Sequence, residues 1–296
     1  MIVRSDITVK DVPEPRLVFF HSGCQRESTV ALRCHAVEQA IVTMRTRFMD
    51  PLTLQDLANA AQFSPFHFNR VFRSMTGVSP GVFLASIRLE QAKELLLTTR
   101  RSVTDICFDV GYSSLGTFTS RFTQLVGIPP TRLRHLAKEQ FMQTSTADIL
   151  TMLSCIGPSK NASTSAGITG TIEVTRPFHG IIYIGAFASP LPQGRPVACA
   201  VLTEPGRFHM CSVPDGKYYL FAAAMEDTQD LLSLLIGGMK LRGRLGNYSV
   251  LVYNGMAKQA VNILLAPANW ADPPLLIALP WLLLSQFLQV QPVVVE

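Results

Sequence analysis

Apolar residues recur at helical spacing over residues 34–140, with punctuation where helices should begin and end. Ser64-Pro65, Ser79-Pro80 and Pro129-Pro130 each place a capping or turn residue before a proline at the first helical position. Gly77, Gly111 and Gly127 can supply the left-handed residue that ends a helix. The pattern predicts seven helices, at residues 36–49, 53–60, 65–76, 80–98, 103–110, 114–126 and 130–137.

The helical segment contains an internal repeat. Its first part recurs after 49 residues: Leu54, Asp56, Leu57, Ala58, Phe63 and Ser64 return as Val103, Asp105, Ile106, Cys107, Tyr112 and Ser113. Its second part recurs after 50 residues: Phe68, Phe72, Gly77, Val78 and Pro80 return as Phe118, Phe122, Gly127, Ile128 and Pro130. We therefore expect two similar helix-turn-helix units.

The pattern changes after residue 140. Residues 141–167 are polar and small and predict a linker. Seven β-type runs follow, at residues 171–175, 181–187, 197–202, 207–213, 217–225, 248–253 and 260–265, with a helical pattern at 229–241. The turns at residues 204–206 and 214–216 predict hairpins. The expected fold is multi-domain, an all-α double helix-turn-helix domain followed by a mainly-β sandwich.

These patterns divide the chain into an N-terminal arm (1–34), the double helix-turn-helix domain (35–140), the linker (141–167) and the β-sandwich domain (168–296), which carries an apolar C-terminal tail. Within the arm, residues 17–20 are interpreted as a short strand or as an arm packed on the helices. The tail, residues 270–296, is expected to pack on the β-domain or across a dimer, because it is too apolar to remain in water.

Charge narrows the choice of partner. The net charge is +5, and residues 35–140 carry 12 Lys and Arg against 8 Asp and Glu, whereas residues 168–296 carry 8 of each. The helical domain should therefore meet an anionic partner. Residues 273–295 are uncharged but broken by prolines, and no secretory signal opens the sequence, so neither a membrane span nor export is expected.

The six cysteines form no CxxC and no Cys/His quartet, so we expect no metal site and no cofactor. A Cys199–Cys211 disulfide is geometrically possible across the predicted turn, but free thiols of a reducing cytoplasm are favoured. His209 and Cys211 lie two residues apart and would share a strand face through the pleat alone. The sequence therefore favours a protein that is not an enzyme.

One predicted helix has a polar face suited to DNA. In residues 65–76, Phe68, Val71, Phe72 and Met75 are spaced to face the core. The opposite face carries the side chains proposed to contact base edges: Phe66, Asn69, Arg70 and Arg73. The alternatives are that Phe66 packs against a neighbouring helix and that Asn69 and Arg70 form only a solvated face.

The equivalent helix of the second unit has fewer hydrogen-bonding groups. Its expected contacts are Leu115, Gly116, Thr117 and Ser120, with thymine methyl contacts favoured at Leu115 and Thr117. Arg121, Arg132 and Arg134 are expected to bind phosphates and to fix the register. The helix between the units has 19 residues and spans ~28 Å, close to the ~34 Å between successive major grooves.

The helical block resembles the DNA-binding domain of the AraC/XylS family of bacterial transcriptional regulators. The matching positions are Leu57-Ala58, Ser64, Phe68, Arg70, Phe72, Gly77, Ser79-Pro80, Arg88, Ala92, Leu95-Leu96, Ile106, Gly111-Tyr112-Ser113, Phe118, Arg121-Phe122, Gly127 and Pro129-Pro130. The resemblance implies two helix-turn-helix units that flank a long helix. Cys107 departs from it, because the family usually has Ala there. Family members commonly carry this domain at the C-terminus, so their effector rules are not transferred.

Residues 194–225 are similar to transthyretin-like or carboxypeptidase-regulatory β-sandwiches, on the evidence of their turns. The combined hypothesis is a cytoplasmic, sequence-specific regulator of transcription. Its partners would be double-stranded DNA, a second copy in a possible homodimer, and RNA polymerase if it activates. The β-domain would modulate DNA binding, through an oligomerisation or partner surface rather than a small-molecule pocket. The alternative is an assembly module for which DNA is only a tether.

Overall fold

The computed structural model describes residues 24–138, 166–189, 192–194, 196–226, 241–244 and 249–276. The first of these ranges is helical and the others are mainly β-structure. The proposals for residues 17–20 and for the tail beyond residue 276 lie outside the described residues. So does the helix proposed at 229–241, except for Leu241, which is in a strand and not in a helix. None of the described helices is long and apolar enough to cross a membrane.

Seven described helices build the first part of the chain. They are α1 (Cys24–Thr46), α2 (Leu54–Ala60), α3 (Pro65–Thr76), α4 (Pro80–Thr98), α5 (Val103–Asp109), α6 (Leu115–Val126) and α7 (Pro130–Lys138). The predicted helices agree with them to within two residues at each end, except for the first. That helix begins at Cys24, twelve residues before the predicted start, and ends at Thr46 rather than at residue 49.

Local capping explains why the helices begin and end where they do. Thr53 and Ser102 form capping boxes with Asp56 and Asp105, in which each side chain bonds the backbone N–H of the other residue. α3 and α4 begin with proline at the first turn. Gly77 ends α3 with φ +80° and Gly127 ends α6 with φ +94°, a conformation that glycine adopts without strain.

The repeat produces two hydrophobic cores that share α4. The first unit packs residues of α1, α2, α3 and the first half of α4 around the aromatic chain Phe68, Phe72 and Phe83. The second unit packs the last half of α4 with α5, α6 and α7, and Phe118 and Phe122 occupy the positions of Phe68 and Phe72. The two predicted helix-turn-helix units are therefore present, and α4 contributes residues to the cores of both.

Nine described strands form the β-rich region. They are β1 (Ile168–Val174), β2 (Gly180–Phe187), β3 (Ala198–Leu202), β4 (Gly206–Met210), β5 (Gly216–Glu226), β6 (Leu241–Arg244), β7 (Val250–Tyr253), β8 (Met256–Ala257) and β9 (Val261–Pro267). One hydrogen-bonded path joins seven of them in the order β3-β2-β5-β6-β9-β1-β4, and β7 and β8 branch from β5. The β1–β9 pair is parallel, and the other pairs between strands are antiparallel.

The sheet curls back on itself. Its terminal strands, β3 and β4, are consecutive in the chain and are joined by only residues 203–205, so the two ends of the path must meet. A single core that includes Ile168, Ile184, Leu220 and Ile263 lies inside the curl. This architecture is β-rich, and the two-sheet sandwich predicted from the sequence is not confirmed.

The two predicted hairpins are wrong. β3 pairs with β2 and β4 pairs with β1, so residues 203–205 link strands that do not pair with each other. Pro214 and Asp215 likewise link β4 to β5, whose described partners are β2, β6 and β7. The turn residues do reverse the chain, but the partner of each strand is decided by contacts distant in sequence.

A hairpin does form between β7 and β8. Asn254 and Gly255 both have positive φ, 51° and 71°, as the tightest hairpin turns require. The Asp215 carboxylate accepts hydrogen bonds from the backbone N–H groups of both residues, at 3.0 and 2.8 Å. Asp215 therefore ties the turn before β5 to the β7–β8 hairpin.

Candidate nucleic-acid interface

The orientation of α3 is fixed by its buried side. Phe68, Val71 and Phe72 are buried in the first unit, as the spacing predicted, while Met75 is only partly buried. The opposite side exposes Arg70 and Arg73. The proposed DNA-contacting face of the first unit is therefore free among the described residues.

Phe66 and Asn69 complete that face. Phe66 is 81% exposed, so it does not pack against a neighbouring helix, which was the alternative to a base contact. Asn69 is half-buried. An aromatic ring in water costs free energy unless a partner covers it, and the methyl group of thymine is an apolar surface in the major groove.

His67 also belongs to this face, although the spacing of α3 gave no sign of it. An Arg70 Nη lies 3.2 Å from His67 Nδ1. Because arginine can only donate, His67 Nδ1 is the acceptor in this hydrogen bond. The imidazole ring packs edge-on against Phe63, with 4.8 Å between the ring centroids. His67 therefore holds Arg70 from one side and is itself held by Phe63.

α6 repeats this arrangement with different side chains. Phe118, Phe122, Leu125 and Val126 are buried in the second unit. The side chains proposed to contact DNA all lie in the exposed class: Leu115, Thr117, Ser120 and Arg121, together with Gly116. They offer hydroxyl and methyl groups and one charge.

An open depression of about 790 Å³ lies along this side of α6. Its described lining is Leu115, Gly116, Thr119, Ser120, Thr123 and Gln124. Small side chains on one face of a helix leave such a hollow.

The predicted phosphate-binding arginines differ in their placement. Arg121 and Arg132 are exposed, as a contact to phosphate needs. Arg134 is only half-buried as a residue, but its Nε and one Nη are buried and have no hydrogen-bond partner among the described residues. Arg134 is therefore less accessible to a phosphate than the sequence suggested.

Arg88 holds the two units together. From the middle of α4, its Nε donates to the carbonyl of Phe48 and one Nη donates to the carbonyl of Asp50, each at 2.7 Å. Its guanidinium also lies over the Tyr112 ring, 5.9 Å from the centroid. Partial burial lowers the pKa of Arg88, yet arginine stays charged at neutral pH.

Gly111 permits a close contact between the units. It has φ +83°, and a Cβ there would lie 2.7 Å from the carbonyl oxygen of Met49. The turn after α1 and the turn after α5 thus meet beside Arg88. This packing fixes the spacing of α3 and α6 more tightly than the length of α4 alone.

His209 and Cys211 lie side by side in the described part of the β-rich region, with Cys211 Sγ 3.5 Å from His209 Nδ1, and His209 Nε2 donates to the carbonyl oxygen of Ala166 at 2.8 Å. Cys34, Cys107, Cys199 and Cys211 form no disulfide bond in the described part of the chain, so the Cys199–Cys211 disulfide is absent. Burial raises the pKa of Cys107 and of Cys199. The described part of the chain also holds no group of three His, Cys, Asp or Glu residues that could bind a metal ion.

Comparison with known proteins identifies the helical part. Residues 57–135 match the family model described as a helix-turn-helix domain. The uncharacterized HTH-type transcriptional regulator YobQ of Bacillus subtilis is 30% identical over 96 residues, which are 32% of this chain and 40% of YobQ. The helical region therefore contains a helix-turn-helix domain, called the AraC-type domain below after the family that it resembles. The HTH-type transcriptional activator AarP of Providencia stuartii matches this domain with 29% identity over 98 residues, 33% of this chain and 73% of AarP.

A solved structure is also similar to the AraC-type domain. It is a transcriptional regulator from Chromobacterium violaceum, described among AraC-type DNA-binding domain-containing proteins, with 26% sequence identity and a TM-score of 0.35. The match covers 37% of this chain and 97% of that one. The chain spans only 40% of the length of YobQ, so the similarity concerns the helix-turn-helix domain and not the whole of either protein.

Proposed function

We propose that this protein is a sequence-specific DNA-binding regulator of transcription, whose AraC-type domain inserts α3 and α6 into successive major grooves. The exposed face of α3 carries the proposal. Phe66, Asn69, Arg70 and Arg73 lie on one side of a helix whose other side is locked into the core. Phe66 can contact the methyl group of thymine, and Asn69 can bind adenine. Arg70 can bind guanine, and Arg73 can bind a phosphate or a base edge.

The relatives support the same function. YobQ and AarP are named as a regulator and an activator of transcription, and their similarity lies in this domain. The proposed activity is DNA recognition rather than catalysis, the proposed location is the cytoplasm, and the β-rich region is proposed to modulate DNA binding.

The two recognition helices should contribute unequally. α3 offers amide and guanidinium groups, whereas α6 offers Ser120, Thr117 and Leu115. Base-pair substitutions under α3 should each cost about 1–3 kcal/mol, and most of those under α6 should cost much less. Arg121 and Arg132 would still anchor the second unit through phosphates, with Arg134 contributing less.

The test begins by selecting bound sites from random DNA and continues with a base-by-base affinity scan of the selected site. A defined site with penalties concentrated in one half supports the proposal. Raising the salt concentration should weaken binding steeply whichever half is altered, because phosphate contacts are shared. Binding with no preferred sequence would contradict the proposed function.

A second candidate, an assembly module that uses DNA only as a tether, is favoured by one patch on the β-rich region. Leu251, Tyr253 and Met256 are exposed, and Tyr253 pairs with Met256 across the β7–β8 hairpin. A second copy of the chain would cover this patch. The mass in solution of Tyr253→Ser, compared with that of the unaltered chain, tests it: a dimer lost on substitution favours assembly, and an unchanged monomer rejects it.

A further inference from the structure

Among the described residues, the β-rich region contacts the two helix-turn-helix units unequally. Leu276, nine residues after β9 ends, is only 4% exposed and belongs to the core cluster of the second unit. The core cluster of the first unit contains, among the described residues, only positions between Ala36 and Ile87. The tail was expected to pack on the β-domain or across a dimer, and at Leu276 that expectation is wrong.

A second segment of the β-rich region contacts α6 itself. The backbone N–H of Gly194 donates to the carbonyl of Leu125, at 3.3 Å. Within a continuing helix this carbonyl would accept from residue 129, but Pro129 has no N–H. Gly194 therefore satisfies a helix-terminal carbonyl that α6 cannot satisfy by itself.

Gly194 is suited to this contact by its lack of a side chain. Its φ is +66°, and a Cβ would lie 3.0 Å from the carbonyl oxygen of Gln124. Any other residue would meet both a strained backbone and a crowded neighbour. Residues 192–194 thus approach the last turn of α6 closely only because glycine stands at 194.

The repeat shows which face of α6 is involved. The counterparts of Phe66, Asn69, Arg70 and Arg73, 50 residues later, are Gly116, Thr119, Ser120 and Thr123. All four counterparts line the open depression on α6. Gln124 completes its lining at the end of α6 that Gly194 contacts. The contact with the β-rich region therefore borders the face that would enter the major groove.

Space around a bound duplex is limited. An α-helix with side chains is ~10–12 Å across and the major groove is ~12 Å wide, so a seated helix fills the groove. A segment packed on the last turn of α6, beside the open depression, would then come close to the path of the DNA backbone.

We propose that the β-rich region and DNA compete for α6. Residues 192–194 and Leu276 hold the β-rich region on the second unit, and a duplex that engages both units displaces them. The first unit stays available, so α3 binds DNA whether or not the β-rich region is docked. This inference rests on the proposed function, in which both helices bind DNA.

The decisive variant is Gly194→Ala, with Gly255→Ala as its control. Gly255 has a similar φ of +71°, but its added Cβ would meet nothing within 4 Å. Gly194→Ala should weaken docking and so tighten binding of the full chain to DNA with both half-sites, by roughly 5- to 30-fold. Binding to DNA that keeps only the half-site under α3 should not change, and Gly255→Ala should change neither.

Equal affinity of Gly194→Ala and the unaltered chain for two-half-site DNA would overturn the competition. So would an equal gain on the single half-site, because the effect would then not involve α6. If the protein selects no DNA sequence at all, the proposed function is contradicted. The docking of the β-rich region on the second unit is then tested in the absence of DNA.

Docking is measured without DNA by hydrogen exchange at the Gly194 amide. Leu276→Glu places a carboxylate in an apolar cluster, which should release the tail and speed exchange at Gly194 at least several-fold. Leu264→Glu is the matched control, because Leu264 is 55% exposed on β9. Fast exchange at Gly194 in the unaltered chain, unaffected by either variant, would show that the docked state does not exist in solution.

Discussion

In the first turns of α3, the orientation of the Arg70 side chain depends on His67, which is not itself proposed to contact a base. The Arg70 guanidinium donates to His67, which Phe63 holds edge-on. An unrestrained arginine loses much side-chain entropy when it binds, and a side chain already held in position loses less. Base preference at Arg70 should therefore depend on His67.

Arg70→Ala should cost roughly 1–3 kcal/mol on the best site and relax the preference at one base pair. His67→Ala should keep phosphate-driven binding but flatten the preference at the same base pair, because Arg70 then samples several directions. The measurement is a double-mutant cycle of base-substitution penalties. Arg73→Ala, on the same face, is the control, and its penalty should not change with His67. Additive effects of His67→Ala and Arg70→Ala would show that the two residues act independently.

At the scale of single helices, two capping boxes make the stability of the folded state depend on pH. Hydrogen bonds from Thr53 lower the pKa of Asp56, and those from Ser102 lower the pKa of Asp105. A carboxyl with a lowered pKa in the folded state stabilises that state above its ordinary pKa near 3.9. This stabilisation is lost as the pH falls through the folded-state pKa.

The double variant Asp56→Asn with Asp105→Asn removes both ionisable caps. It should lower the stability of the AraC-type domain at neutral pH and should flatten the loss of stability below about pH 4. Urea unfolding followed by helix circular dichroism between pH 3 and 7 measures both effects. The same acid slope in the variant and in the unaltered chain would show that these carboxylates do not contribute.

Contacts around Arg88 should make the two units behave as one rigid element. Arg88→Ala removes two hydrogen bonds to the carbonyls of Phe48 and Asp50, and Gly111→Ala forces a Cβ to within 2.7 Å of the Met49 carbonyl oxygen. Either variant should bind two-half-site DNA more weakly and tolerate altered spacing between the half-sites better. The control is Gly81→Ala in α4, where an added Cβ meets nothing within 4 Å. Unchanged dependence on spacing would contradict this role.

The helices were predictable from the sequence because their signals are local. Capping residues, prolines and the repeat fixed both ends of α2 to α7 within two residues. The β-rich region was harder, because strand pairing is not local. Leu241-Arg242-Gly243-Arg244 has no β pattern, yet β6 forms there between β5 and β9. β8 was also missed, although Asn254-Gly255 is a strong hairpin signal.

At the site, the exposed face of α3 followed from its spacing, whereas its supporting contacts did not. Gly111 was expected only to end a helix, but its close approach to Met49 joins residues 62 positions apart. The burial of Leu276 among residues of α4 to α7 likewise spans more than 100 positions. Such contacts produce no periodic pattern in the sequence. The apolar character of the tail therefore predicted that it would be buried, but it did not predict which surface would bury it.

At the scale of the whole molecule, the two units share a fold but not their surroundings. The first has its recognition face exposed and polar, and the second has a face of small side chains with the β-rich region beside it. Under the proposed function, such a protein binds DNA through α3 in every state and responds through α6. The stability of the second unit should therefore depend on residues far along the chain.

Leu276→Ala tests that dependence in the full chain. Truncating a buried leucine typically costs about 2–5 kcal/mol, and Leu276 is buried, with 4% exposure, in the cluster contributed by α4 to α7. The helical signal should therefore unfold at lower urea concentration, while the slope of the transition stays the same. Leu264→Ala removes an equal volume from an exposed position and should change stability by less than about 0.5 kcal/mol. If both variants unfold at the same urea concentration as the unaltered chain, Leu276 does not pack on the second unit in solution. A lower midpoint in Leu276→Ala alone would show that the tail and the second unit fold as one cooperative body.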